Sequence, residues 1–233
     1  LKILKDGGSA ILMSHLGRPK GGPNPAFSLN HLVDHLGKIT GAHIHFASDC
    51  IGEDAISMAQ SIKPGEILLL ENLRFYDEEK SGDADFAKKL ARYGDIYVND
   101  AFGTAHRAHA STSVVASSFG NQKCFGYIMA NEIANANKVI AEPAKPFVAI
   151  VGGAKVSDKL LLLENLMQVA DTILIGGGMA YTFVSALGGK IGTSLFEADR
   201  VELALELLEK AKAKGVKLTL PADSVCADGF TND

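Results

Sequence analysis

PFVAIVGGAKVSDK, Pro146 to Lys159, reads as a strand running into a glycine turn and then a helix. Phe147–Val151 is a short unbroken apolar run that reads as a strand. The prolines at 143 and 146 stop any helix arriving from upstream. Gly152 and Gly153 let the backbone approach a ligand closely, and the helix after them is expected to aim its free N–H groups at an anion. Lys155 and Lys159, four residues apart, are expected on one helix face. Two cations there oppose the helix dipole, so the pair points to a bound anion rather than to solvated decoration.

Downstream the same unit repeats. Asp171–Ile175 (DTILI) is a strand entering Gly176-Gly177-Gly178, followed by a helix over Met179–Leu187. A long amphipathic helix, Ala198–Lys214, has Val201, Leu205 and Leu208 one turn apart, and Val216–Leu220 is a further strand. Upstream, Met129–Glu142 is a helix with no strand beside it, and the alternation restarts beyond the prolines, so a domain boundary is expected there. The divisions are residues 1–128, a joining helix and linker over 129–145, and a second domain over 146–233.

The first part alternates in the same way. Strands are expected at Ala10–Ser14, Ala42–Phe46, Glu66–Leu70 and Asp95–Val98, and helices over Leu29–Thr40, Ile51–Lys63, Phe86–Tyr93 and His109–Phe119. The fold class is therefore α/β, two Rossmann-like three-layer α/β/α domains with parallel sheets joined by a helix. The chain opens in a helix tail and ends after three strands of the second sheet, so the second domain is expected to be cut short.

Composition narrows the function. The 233 residues carry a net charge of −4, which offers no surface for nucleic acid or an anionic membrane. No run reaches the roughly 18 apolar residues of a membrane span, and no signal-peptide pattern is present. Cys50, Cys124 and Cys226 lack zinc-binding spacing and read as reduced thiols, so the cytoplasm is the expected compartment.

Ligands of open parallel sheets bind beyond the carboxyl ends of the strands. Three strands of the first part are followed by His15-Leu-Gly-Arg18-Pro, Glu71-Asn-Leu-Arg74-Phe, and a longer run holding His106, Arg107 and His109. Each thus brings an arginine to one edge of the sheet, and guanidinium forks match phosphate or carboxylate oxygens in pairs. His31, His35, His43 and His45 fall on helix faces or strand flanks and read as structural. The second glycine turn departs from G-x-G-x-x-G at Tyr181, and no Walker, H-R-D or G-x-S-x-G pattern occurs, which disfavours a nicotinamide-dependent dehydrogenase.

SHLGRP (Ser14–Pro19), LLENLRF (Leu69–Phe75), NDAFGTAHRAHAS (Asn99–Ser111), VGGAKVSDK (Val151–Lys159) and IGGGMAYTF (Ile175–Phe183) together resemble the phosphoglycerate kinase family, in order and interval. The resemblance implies reversible phosphoryl transfer between ATP and the carboxylate of 3-phosphoglycerate, giving the 1,3-bisphosphate and ADP. It implies that His15, Arg18, Arg74 and Arg107 bind 3-phosphoglycerate, with His106 close by. It also implies that Gly152, Gly153, Ala154, Lys155, Lys159, Gly176 and Gly177 bind ATP or ADP as the magnesium complex. Lys155, Lys159, Arg18 and Arg107 would serve the transfer itself, and Asp158 would hold one of the lysines. A hinge-bending cytoplasmic monomer is implied. Two family motifs, close to R-x-D-F-N-V-P and G-G-G-D-[ST], are absent. The second carries an aspartate that would meet the magnesium, so no metal ligand is assigned, and the chain alone is expected not to complete the reaction. The alternative is a module that binds phosphorylated ligands without turnover.

Overall fold

A computed structural model describes residues 1–141 and 143–229. The chain divides into two compact units, one over Leu1–Ile133 and one beginning at Ala134. The division falls inside the helix Tyr127–Ile140. The expected end of that helix, Glu142, and the last residues, 230–233, lie outside the described residues.

In the first unit, β1 (Ala10–Leu12), β2 (Ile44–Ala47) and β3 (Ile67–Leu70) form a parallel sheet in the order β1-β3-β2. Every residue of β3 is buried, as befits a central parallel strand. Leu68 and Leu70 join Phe86, Leu90 and Val115 in one cluster, while Ile67 and Leu69 are buried on the opposite face.

β4 (Tyr97–Asn99) corrects the expectation that three arginine-bearing strands share one sheet. It pairs in parallel with β5 (Lys123–Phe125), not with β1 or β3. Apolar runs show that a strand exists but not which strand it pairs with. The sequence offers no sign of β5 itself, since three exposed residues carry no burial pattern. The segment expected to be helical over His109–Phe119 is a 3₁₀ stretch confined to Val114–Phe119, and the helix expected from Leu29 begins with a 3₁₀ turn before Val33–Thr40.

In the second unit, β6 (Val148–Gly152), β7 (Thr172–Gly176) and β8 (Lys217–Thr219) form a parallel sheet in that order. Ala149, Val151, Ile173 and Ile175 are buried with Leu163, Phe183 and Leu207 from three helices. On the other face Val148 and Ile150 stay 48% and 79% exposed. The long helix, Val201–Ala213, presents Ala204, Leu207 and Ala211 to the core, so the stripe is turned from the one read in the sequence and Leu205 is exposed. Alanines at 204 and 211 allow close approach to the sheet and to the neighbouring helix Met179–Ala186, which larger side chains would prevent.

Gly152 and Gly176 are register partners at the ends of β6 and β7, so the two glycine turns leave the sheet side by side. Met179 N donates to Gly153 O at 2.9 Å. Gly177 has φ of 68°, and a Cβ there would lie 2.9 Å from Gly153 O. Only glycine lets the turns pack this closely.

Candidate active site

The first unit gathers cations beyond its strand ends. Arg74 follows β3 in a 3₁₀ turn (Leu73–Phe75), and its Nη1 donates to Gly17 O at 3.0 Å, next to Arg18. Its Nε is buried without a hydrogen-bond partner. Burial and the charges of Arg107 and Arg18 push the Arg74 guanidinium below its ordinary pKa, with Glu79 acting the other way. His15 is likewise lowered, first by desolvation and then by Arg74, His109 and Arg107. Arg107 Nε donates to His106 Nε2 at 3.0 Å. Although β4 lies outside the first sheet, the structure thus brings His15, Arg18 and Arg107 close enough to Arg74 for their charges to oppose its own or each other's, with His106 bonded to Arg107. Like charges held this close destabilise one another until an anion enters. On the His15 side of this group a cavity of about 240 Å³ opens, lined by Ser14, His15, Leu73, Glu79, His109 and Ser111 and by none of the three arginines.

Three residues of this surround, His109, Glu79 and Ser111, carry no role in the sequence reading. His109 is buried, and its pKa is lowered by desolvation, with Arg74, Arg107 and His106 adding to this against Glu79. Buried Glu79 accepts from Ser111 N at 3.0 Å and from Ser111 Oγ at 2.7 Å, fixing the segment that carries His106 and Arg107. The signal for Glu79 is weak, because it sits among exposed charges in Asp77–Ser81 and reads as another solvated one.

Glu71 and Asn72 hold the loop that bears Arg18. Glu71 accepts from Ser28 Oγ at 2.6 Å and Leu29 N at 2.7 Å. Asn72 is fully buried. Its Nδ2 donates to Leu16 O and Phe27 O at 2.9 Å each, and its Oδ1 accepts from Arg74 N at 3.0 Å. One side chain therefore registers both ends of the glycine- and proline-rich loop against the Arg74 turn. Asn72→Ala is expected to destabilise the protein by about 2 kcal/mol, since buried carbonyls lose their donors. Chemical denaturation would measure this, and Asn72→Asp should recover little because it restores no donor.

The second unit corrects the picture of the lysines. The α-helix begins at Leu160, after a 3₁₀ turn over Ser157–Lys159, so Lys155 lies in the loop and does not share a helix face with Lys159. Val156 explains this. Its side chain is wholly buried in the core, which draws the loop inward before the helix can start. Nor are the N–H groups of this turn free for a ligand. Glu197 Oε2 accepts from Val156 N at 2.6 Å and from Ser157 N at 3.0 Å. Lys155 is exposed, whereas the Lys159 side chain folds back so that its Cε would be 3.4 Å from a Cβ on Gly153. Among the described residues neither lysine is ion-paired, and Asp158 holds neither. Two free ammonium groups thus flank the paired glycine turns, an arrangement suited to a polyanion.

Of the remaining histidines, His31 Nε2 lies 3.0 Å from Pro25 O, and His45 Nε2 lies 3.0 Å from Glu66 Oε2. Among the described residues no group of three or more His, Cys, Asp or Glu is placed to hold a metal ion. No helix among them is long and apolar enough to cross a membrane.

A family model described as phosphoglycerate kinase matches residues 1–233. The phosphoglycerate kinase of Chloroherpeton thalassium is 51% identical over 232 residues, covering 100% of this chain and 58% of that protein. The cytosolic phosphoglycerate kinase of Triticum aestivum is 51% identical over 231 residues, covering 99% of this chain and 57% of that one. The solved structure of phosphoglycerate kinase from Coxiella burnetii matches with a TM-score of 0.83 at 37% identity, covering 100% of this chain and 58% of its own. The chain thus spans less than two thirds of the length of these relatives.

Proposed function

This chain belongs to the phosphoglycerate kinase family, and from that premise we propose that the protein carrying it transfers a phosphoryl group reversibly between ATP and the carboxylate of 3-phosphoglycerate. The observation that supports this most is the convergence of His15, Arg18 and Arg107 on Arg74, whose buried guanidinium Nε–H is left unpartnered. A small phosphorylated acid has the charge and size to relieve that repulsion. His15, Arg18, Arg74 and Arg107 would bind it, with His106 orienting Arg107.

Lys155 and Lys159 would bind the nucleotide phosphates over the backbone of Gly152, Gly153 and Ala154, and Gly176 and Gly177 would form the adjacent wall. The acceptor carboxylate is ionised at neutral pH, so the chemistry requires no general base. What it requires is alignment, charge neutralisation and exclusion of water. In this scheme Arg18 and Arg107 hold the acceptor, and Lys155 and Lys159 neutralise charge on the migrating phosphoryl group. The nucleotide would enter as its magnesium complex, but the described residues do not assemble a donor set for that ion, and no step is drawn through it. We propose a cytoplasmic monomer, in keeping with three free cysteines.

The test is ADP formation from ATP by the intact protein, dependent on 3-phosphoglycerate. Binding of both compounds without ADP formation would favour a binding module instead. Failure to bind either would overturn the reading.

A further inference from the structure

Glu197 lies 40 residues from Ser157 in sequence, yet its carboxylate grips the backbone between the two lysines. Oε2 accepts from Val156 N at 2.6 Å and Ser157 N at 3.0 Å, and Oε1 accepts from Ser157 Oγ at 2.6 Å. Its own backbone N donates to Thr182 Oγ1 at 3.1 Å. Thr182 is wholly buried, in the helix Met179–Ala186 that follows the second glycine turn. The chain of contacts therefore runs from the loop of the first glycine turn, through Glu197, to the helix behind the second.

Burial works against the charge of Glu197. The hydrogen bonds from Ser157 and Val156, with the charge of Lys155, outweigh it and hold the carboxyl below its ordinary value. The carboxylate is thus the form in which this grip exists.

This has a chemical consequence. Backbone N–H groups at a strand–helix turn would ordinarily attract an anion directly. Here an internal carboxylate has taken two of them, so recognition of an incoming polyanion falls to the ammonium groups on either side. Those groups act only if the backbone that carries them is held in place, because a shift of about 1 Å in a positioned group can cost about 100-fold.

We infer that Glu197 is a positioning residue for nucleotide binding, its carboxylate clamping Val156 and Ser157 so that Lys155 and Lys159 are presented to the phosphates. The assignment rests on the function proposed above. It predicts that Glu197→Ala in the intact protein weakens ADP binding about 10- to 100-fold, leaves the dissociation constant for 3-phosphoglycerate unchanged, and accelerates hydrogen exchange at the Val156 and Ser157 amides. Glu197→Gln should restore most of the ADP affinity. Its amide oxygen can accept from the two backbone N–H groups, and its NH₂ can donate to Ser157 Oγ.

Calorimetric titration with ADP and with 3-phosphoglycerate, alongside hydrogen exchange, decides the matter. A folded Glu197→Ala variant that binds ADP as the wild type does would overturn the assignment and leave the proposed function standing. If the wild type binds no ADP, both fall together. Should Glu197→Ala not fold, Ser157→Ala removes only the hydroxyl contact. About threefold weaker ADP binding with 3-phosphoglycerate unaffected would support the clamp, and unchanged ADP binding would overturn it.

Discussion

Lys155→Ala in the intact protein is expected to lower kcat about 100- to 1,000-fold, the range for removing one preorganised group that meets charge developing in a transition state. Lys155 is exposed and unpaired among the described residues, so its removal costs the fold little. If its ammonium acts chiefly on the migrating phosphoryl group while Lys159 carries the affinity for the ADP phosphates, kcat and kcat/KM should fall together and the dissociation constant for ADP should change much less. A rise in KM for ATP with kcat intact would show that Lys155 only anchors the nucleotide. A structural readout accompanies the kinetic one. The Glu197 carboxyl should titrate at higher pH in the variant, because Lys155 contributes to holding it down.

Arg107→Ala is expected to weaken 3-phosphoglycerate binding about 10- to 100-fold, the loss of a charge-assisted hydrogen bond, with ADP affinity nearly unchanged. Arg107 is exposed and its side chain is bonded only to His106 Nε2 among the described residues, so the variant should fold. Calorimetric titration separates the two ligands, and equal loss of both in a folded variant would contradict the assignment. The variant also tests the cluster without any ligand. Arg107 helps to lower the pKa of His15, Arg74 and His109. Its removal should therefore move the His15 and His109 titrations upward, as proton NMR would record.

Burial, with the same repulsion adding to it, gives the sign of the pH dependence of stability. The folded-state pKa values of His15 and His109 lie below the unfolded value of about 6.5. Below that pH the unfolded chain takes up protons first, so stability falls on acidification until the lowered folded values are passed. A bound anion opposes this fall by favouring the protonated rings.

The parallel α/β architecture and the residues proposed for the chemistry were legible because both depend on local pattern. Unbroken apolar runs such as Ile67–Leu70 announce strands buried on both faces, and the residues just beyond the carboxyl end of such a strand belong to the ligand-facing rim. That rule alone groups His15, Arg18 and Arg74 of the proposed anion cradle, whereas His106 and Arg107 follow β4, outside that sheet, and only the tertiary structure brings them near. Strand pairing was not legible. β4 and β5 are joined by backbone hydrogen bonds that any side chains permit, so nothing in Tyr97–Asn99 names Lys123–Phe125 as its partner.

The supporting acids were illegible for a related reason. Glu71, Glu79 and Glu197 look in sequence like other acidic residues, and only burial against N–H and O–H donors 32 to 43 residues away separates them from solvated ones. The glycine–lysine turn shows both halves of the division. Its sequence alone marked Gly152, Gly153, Lys155 and Lys159 as a candidate anion site, because glycine freedom and lysine charge are properties of the residues themselves. Where the helix begins, and that its first N–H groups are already occupied, was decided by the burial of Val156 and the reach of Glu197. Those are long-range contacts, and local spacing holds no information about them.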